Sequence, residues 1–239
     1  MLTNAQVLRF SATLILPLLL LALSGWTPFL THDLNQPGLY LAYLLSGTVG
    51  LPGLLVTLTL LLLLSHLKLR PGRREWLLLL AVLVALMAAD WGIKAIIKHL
   101  TQEPRPYLVW LVEQGILPSL EQFYGEPNAQ RIEQIRAAGQ LLGLPDWLAG
   151  HWQQGVNYAF PSGHTIVTIT LAQFFGLIWL ARAPRGAWLL PLWALGVAIS
   201  RLLLGMHWAG DLLASALLGS ATAILGAHWW LHRALASPR

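Results

Sequence analysis

The chain has 239 residues, of which 56% are hydrophobic and only 10% charged. A soluble domain carries about 25% charged residues, so this composition excludes one and marks an integral membrane protein. The net charge of +5 fits cytoplasmic anchoring residues and anionic lipid, and no Lys/Arg-rich run of the length a nucleic-acid patch needs is present. Without cysteine the chain has neither disulfides nor thiolate-bound metals, and the redox compartment is left unread.

The first apolar run, from about Val7 to Leu23, is interrupted by Arg9 and Pro17. Its charged start and small-residue end also suit a signal peptide, but a multi-pass body follows, and a retained first helix is the expectation. Gly25 to Pro37 is a polar loop. The second span, Leu39 to Leu67, is too long for one perpendicular helix and is expected to be tilted, or broken near Gly50-Leu51-Pro52-Gly53. Lys68, Arg70, Arg73 and Arg74 follow as a basic cluster. The third span, Trp76 to Ile97, carries Asp90 and Lys94 four residues apart, for which a mutually neutralising pair is favoured over substrate contact.

Lys98 to Phe160 is polar and holds most of the acidic residues. Prolines on both sides of Arg105 argue against a continuing helix there. Pro127 to Leu144 reads as an amphipathic helix with Ile132, Ile135, Leu141 and Leu142 on or near one face. Tyr107 to Trp110 and Trp147 to Trp152 read as interfacial. The segment is too short and apolar for an independent domain, and reads as a cap lying on the membrane surface. Three spans complete the chain, at about Thr165 to Leu180, Trp188 to Leu204 and Asp211 to Leu231. The fold class is therefore an all-α integral membrane protein of six transmembrane helices. Residues 1–239 form one domain, with 99–160 as an extracytoplasmic cap insertion between the third and fourth spans.

Orientation follows from loop charges. With the N-terminus inside, Arg9, the cluster from Lys68 to Arg74, Arg182, Arg185, Arg233 and Arg239 are cytoplasmic. Lys98, Arg105, Arg131, Arg136 and Arg201 then lie outside, and the cap faces out.

Three stretches converge at the outer helix ends under this topology: Lys98 with Arg105; Phe160-Pro161-Ser162-Gly163-His164; and Ser200-Arg201 with His207 and Asp211. Ionisable groups at membrane depth mark a site or a forced pairing. If the chain is helical from His207 onward, Asp211 lies one turn on, on the same face. Its carboxylate can then take the proton of one imidazole nitrogen and leave the other lone pair free to attack. Taken alone, Arg201, His207 and Asp211 would more often be an inter-helix salt bridge than a catalyst. Three cations facing one carboxylate leave a positive field that suits a multiply charged anion such as a phosphoryl group. Backbone N–H groups at Ser162 and Gly163 suit the same anion, although Ser162 can equally act as a helix cap alone.

Lys98-(six residues)-Arg105-Pro106, then Pro161-Ser162-Gly163-His164, then Ser200-Arg201-(five residues)-His207-(three residues)-Asp211 resemble the tripartite signature of the type 2 phosphatidic acid phosphatase superfamily. Glu103-Pro104-Arg105-Pro106, Val109-Trp110-Leu111, Phe123-Tyr124, His151-Trp152 and Arg201 to Trp208 narrow the likeness to its branch acting on phosphatidylglycerol phosphate. The resemblance implies a lipid phosphate phosphatase of the bacterial inner membrane, with its site facing the periplasm or cell exterior. It implies His207 as nucleophile oriented by Asp211, a phosphohistidine intermediate, and His164 as acid and then base. Lys98, Arg105, Arg201, Ser162 and Gly163 would hold the phosphate, with no cofactor and no metal. The partners expected are a lipid phosphate substrate and the bilayer, not nucleic acid, and the oligomeric state is left open. An undecaprenyl diphosphate phosphatase would use the same residues. A lipid-phosphate transporter would need neither nucleophile nor acid, and a purely structural protein would not require the Lys98-to-Pro106 spacing.

Overall fold

The computed structural model describes residues 2–31, 34 and 36–235, and every regular element among them is helical. His32, Asp33 and Asn35 of the first loop, and Arg239 of the orientation argument, lie outside the described residues. The elements are α1 (Asn4–Ser24), a 3-10 turn (Pro28–Thr31), α2 (Pro37–Gly47), α3 (Gly53–Leu69), α4 (Arg73–Thr101), α5 (Pro106–Glu113), α6 (Leu120–Gly125), α7 (Asn128–Leu141), α8 (Asp146–Gln153), α9 (Gly163–Arg182), α10 (Leu189–Leu203) and α11 (Ala209–Leu235). Four described stretches, Asn4–Ser24, Arg73–Glu113, Gly163–Arg182 and Ala209–Ala234, hold helices long and apolar enough to cross a membrane. α3 and α10, of 17 and 15 residues, are shorter apolar helices.

Local chemistry sets the boundaries. Thr3 caps α1 by accepting from the Gln6 backbone N–H at 3.2 Å, while the Gln6 side chain accepts from the Thr3 N–H at 3.0 Å. The expected second span is broken rather than tilted. α2 ends at Gly47, and α3 restarts at Gly53 with Pro52 before it. Proline supplies no N–H to continue the α2 ladder. α4 runs beyond Ile97 to Thr101, so Lys98 stands on its last turn rather than opening the polar segment.

α9 is the hub. From Thr165 to Trp179 only Val167 is not buried, so the helix is covered on all sides, as its apolar sequence requires. α1, α3, α4, α10 and α11 all pack against it. Small residues allow close approach: a Cβ on Gly176 would meet the Phe10 ring of α1 at 2.1 Å, and one on Gly219 of α11 would meet Ile166 O at 2.8 Å. Buried polar groups find partners across helices. Gln173 Nε2 donates to Ser11 Oγ at 2.9 Å and Trp179 Nε1 to Ser65 Oγ at 2.9 Å.

Asp90 and Lys94 do not form the expected pair; no ion pair joins them among the described residues. Asp90 is buried and accepts from Thr222 Oγ1 of α11 at 3.2 Å. The Lys94 side chain is instead laid against Gly163, whose added Cβ would stand 2.8 Å from Lys94 Cδ. A helical i,i+4 spacing brings two groups near each other, and neighbouring helices then decided the partners.

α5 to α8 build a second apolar cluster around Tyr107, Leu108, Leu111, Phe123, Ile135, Leu148 and Trp152, which also takes in Phe29, Ala42, Leu204 and Met206. Tyr107 and Trp152 are core residues, not interfacial ones. Their rings stack with centroids 4.7 Å apart, and their polar tips are satisfied internally. Tyr107 OH donates to Gly155 O at 3.1 Å, and Trp152 Nε1 to Leu204 O at 3.0 Å. α7 buries Ile135, Ala138 and Gly139 and half-buries Ile132, but Leu141 points outward and is 75% exposed. At about 100° per residue Leu141 falls roughly 240° from Ile135, on another face.

Candidate active site

The turn between α10 and α11 carries His207. Gly205 has φ +69°, and a Cβ there would meet the Phe29 ring at 2.7 Å, so glycine is required on both counts. Tyr107 N–H donates to Gly205 O at 2.9 Å and Met206 N–H to Arg201 O at 3.0 Å, which pins the turn to α5 and α10.

His207 precedes the helix rather than starting it, since α11 begins at Ala209. The expected contact with Asp211 forms nonetheless. Asp211 sits in the first turn and reaches back, as the acidic half of a capping box does. Its Oδ2 accepts from the Trp208 N–H at 3.0 Å and lies 3.1 Å from His207 Nδ1. Both side chains are almost wholly buried.

Arg105 Nη1 stands 3.4 Å from the other ring nitrogen, Nε2. A guanidinium can only donate, so Nε2 carries the lone pair and Nδ1 the proton given to Asp211. Burial, and then the charges of Arg105, Arg201 and Lys98 and the His164 ring, hold the His207 imidazole well below the ordinary histidine range. It is a neutral imidazole at neutral pH, with its lone pair toward the cations.

The extended Arg105, N-cap of α5 with Pro106 at N1, threads between the loop before α9 and the α10–α11 turn. Nε donates to Asn157 O at 2.7 Å, Nη2 to Asn157 Oδ1, and Nη1 to Met206 O at 2.8 Å. Lys98 Nζ donates to Ala159 O at 3.0 Å and also to Tyr158 O. Ala159 N–H returns a bond to Glu103 O at 2.7 Å.

This loop leads into Pro161-Ser162-Gly163-His164. Ser162 caps α9, its Oγ accepting from Thr165 N–H at 3.3 Å and from Thr165 Oγ1 at 2.9 Å. Ser162 N–H donates to Ser215 Oγ at 2.8 Å, and Ser215 in turn donates to Asp211 O, which ties the α9 start to α11. His164 opens α9 beside the α2–α3 break, where a Cβ on Gly50 would stand 3.7 Å from its Nε2. Arg201 Nη1 donates to Ser46 Oγ of α2 and stands 2.8 Å from His151 Nε2 of α8.

Lys98, Arg105, Ser162, Gly163, His164, Arg201, His207 and Asp211 are thus gathered at one end of the bundle. Arg105, Arg201, His207 and Asp211 are buried, whereas Lys94, Lys98, Gly163 and His164 form a half-buried face. Ser46, His151, Asn157 and Ser215 belong to the same centre and were not singled out from sequence, whereas Lys94, expected to pair with Asp90, joins it instead. Of the former, only His151 carried any sign, as part of the His151-Trp152 likeness.

The PAP2 superfamily model matches residues 75–234, which contain every one of the eight expected site residues. Phosphatidylglycerophosphatase B of Escherichia coli (strain K12) is 36% identical over 162 residues, 67% of this chain and 63% of that protein. The match therefore spans less than two thirds of the E. coli protein's length. The Haemophilus influenzae protein of the same name is 35% identical over 186 residues, 75% of this chain and 76% of its own length. On the family match and these identities, with the histidine–aspartate pair and its cations in place, the chain belongs to the PAP2 superfamily.

Proposed function

We propose that the protein is a membrane lipid phosphate phosphatase that hydrolyses the terminal phosphate of phosphatidylglycerol phosphate through a phosphohistidine. One observation carries this reading: His207 is held by Asp211 through Nδ1 while Nε2 turns its lone pair toward Arg105, in the field of Arg201 and Lys98. Simple binding of an anion does not need an oriented imidazole, which disfavours a transporter.

In the first step His207 Nε2 attacks phosphorus and the bond to the lipid oxygen breaks, with His164 giving that oxygen a proton. Water then attacks the phosphohistidine, its proton passing to His164, and inorganic phosphate leaves. Asp211 stabilises the imidazole as it becomes positive. Lys98, Arg105, Arg201 and the N–H groups near Gly163 stabilise the equatorial oxygens. These cations neutralise the phosphoryl charge that a divalent ion would otherwise neutralise, so turnover proceeds without metal.

The accompanying topology has six spans. α1, the broken α2–α3, α4, α9, α10 and α11 supply them, the N-terminus is inside, and residues 99–160 form a cap outside the inner membrane. The basic residues at Lys68 to Arg74 and at Arg182 and Arg185 support this orientation.

The deciding experiment is phosphate release by purified protein in EDTA, from phosphatidylglycerol phosphate and undecaprenyl diphosphate in parallel. Release from the first at the higher kcat/KM is expected. Preference for the second would move the protein to envelope polymer synthesis, and no release from either by folded protein would end the phosphatase reading. His164→Ala should still form the phosphoenzyme from a substrate with an activated leaving group, while turnover on the lipid collapses. Loss of labelling with both would remove its role as acid. Asp211→Asn should fold and bind but lose on the order of 10³–10⁴-fold in kcat, since the imidazole loses its tautomer and its counter-charge. Unchanged kcat would make Asp211 structural.

A further inference from the structure

Arg201 is the cation whose surroundings the family signature leaves unexplained. It is buried on the last turn of α10, and of its five N–H donors the two on Nη1 are taken up, one by Ser46 Oγ and one by His151 Nε2 at 2.8 Å. Nε is buried and has no hydrogen-bond partner among the described residues. The Nε–Nη2 edge, the one able to grip two oxygens of a phosphoryl group, is the edge left free. An arginine pinned at one amino group can present this edge in only one plane.

His151 is suited to the pinning role. It comes from α8, outside the three signature stretches, and is buried with its ring edge-on to Tyr43 of α2, centroids 5.5 Å apart. Tyr43 in turn packs against Trp147 at 5.3 Å, so the imidazole is wedged between two helices. Trp152 Nε1, one residue on, holds Leu204 O, and α8 thus grips the end of α10 at two points. Accepting from a guanidinium requires an unprotonated Nε2. Burial, together with Arg201 and Arg105, pushes the His151 pKa down to about 3, which keeps the ring neutral.

We propose that His151 is a positioning residue: with Ser46 it fixes the Nη1 amino group of Arg201, so that the Nε–Nη2 edge is aimed at the substrate phosphoryl oxygens. The assignment rests on the phosphatase reading. It makes the 99–160 segment part of the active centre, because α8 sets the orientation of a phosphate-binding arginine on α10.

The test compares His151→Phe, which keeps the ring and its packing on Tyr43 but removes the acceptor, with His151→Gln, whose side-chain oxygen falls near the place of Nε2. The full-length protein is used, with phosphate release, orthovanadate inhibition and detergent melting temperature measured on each variant. His151→Phe should stay folded with a modest fall in melting temperature from the orphaned Nη1 N–H, lose on the order of 100-fold in kcat/KM, as a misplaced positioning group does, and weaken vanadate inhibition in parallel. His151→Gln should restore both to within a few-fold of wild type. Wild-type turnover in His151→Phe would overturn the assignment. So would a glutamine variant as impaired as the phenylalanine one, or losses in both that follow a fallen melting temperature. A wild-type protein that releases no phosphate would instead remove the phosphatase reading itself, and His151 with it.

Discussion

Substitution of His207 by glutamine is expected to lower phosphate release by at least on the order of 10⁴-fold and to abolish any trapped phosphoenzyme. The magnitude follows from what is lost. The imidazole carries a free lone pair at Nε2 beside the Arg105 guanidinium, and glutamine offers a comparable size without a nucleophilic nitrogen. Folding should survive, because Asp211 retains its bond from Trp208 N–H when the donor at Nδ1 is lost. The measurement is rapid-quench labelling with a radiolabelled lipid phosphate, beside steady-state release. Persistent labelling would name another nucleophile. Ser162 is the obvious suspect by residue type, but its oxygen already accepts from Thr165 N–H and Thr165 Oγ1, which leaves it poorly placed to attack.

Arg105→Met should cost both stability and rate, unlike the preceding variant. The guanidinium satisfies Asn157 O, Asn157 Oδ1 and Met206 O, and methionine would leave these acceptors without their partner. Met206 O is buried, and an orphaned buried acceptor costs about 1–3 kcal/mol, whereas Asn157 is exposed and water can take over its two acceptors. A total of about 1–3 kcal/mol is expected, carried mainly by the buried Met206 O. Turnover should fall at least 100-fold, as Met206 and the adjoining His207 lose their anchor. Arg105→Lys should recover little of either loss, because an ammonium cannot span carbonyls on two separate loops. The check is a detergent melting curve with activity measured on the surviving folded fraction. A melting temperature equal to wild type would show that Arg105 serves substrate alone.

Those two residues mark where sequence was informative. His207 and Arg105 stood out because charged and imidazole groups are rare in a chain this apolar, so their spacing carried a signal. Ser46 and Ser215, both buried, and the exposed Asn157 also belong to the centre, yet nothing separates them in sequence from any other loop amide or helix hydroxyl. The long helices were legible from apolar runs, and the α2–α3 break from Pro52 between two glycines. α5, α6 and α8, with eight, six and eight residues, are too short for periodicity to register. Their stability comes from Tyr107, Phe123 and Trp152 packing on residues far away in the chain. Leu141 and the Asp90–Lys94 pair were misjudged for a related reason: spacing along one helix gives proximity, and tertiary neighbours decide which face is covered and which partner is taken.

The Arg105–Met206 hydrogen bond has a consequence for biogenesis. Its two ends are separated by 101 residues, and synthesis delivers Arg105 long before Met206 can meet it. α11, which packs on α1, α4 and α9, is likewise the last helix made. For about 100 residues of synthesis the nascent chain therefore carries Lys98 and Arg105 without Met206 and Asp211. The cluster is completed only when the final hairpin is made: a chain arrested before Met206 carries Lys98, Arg105, His164 and Arg201 but neither His207 nor Asp211.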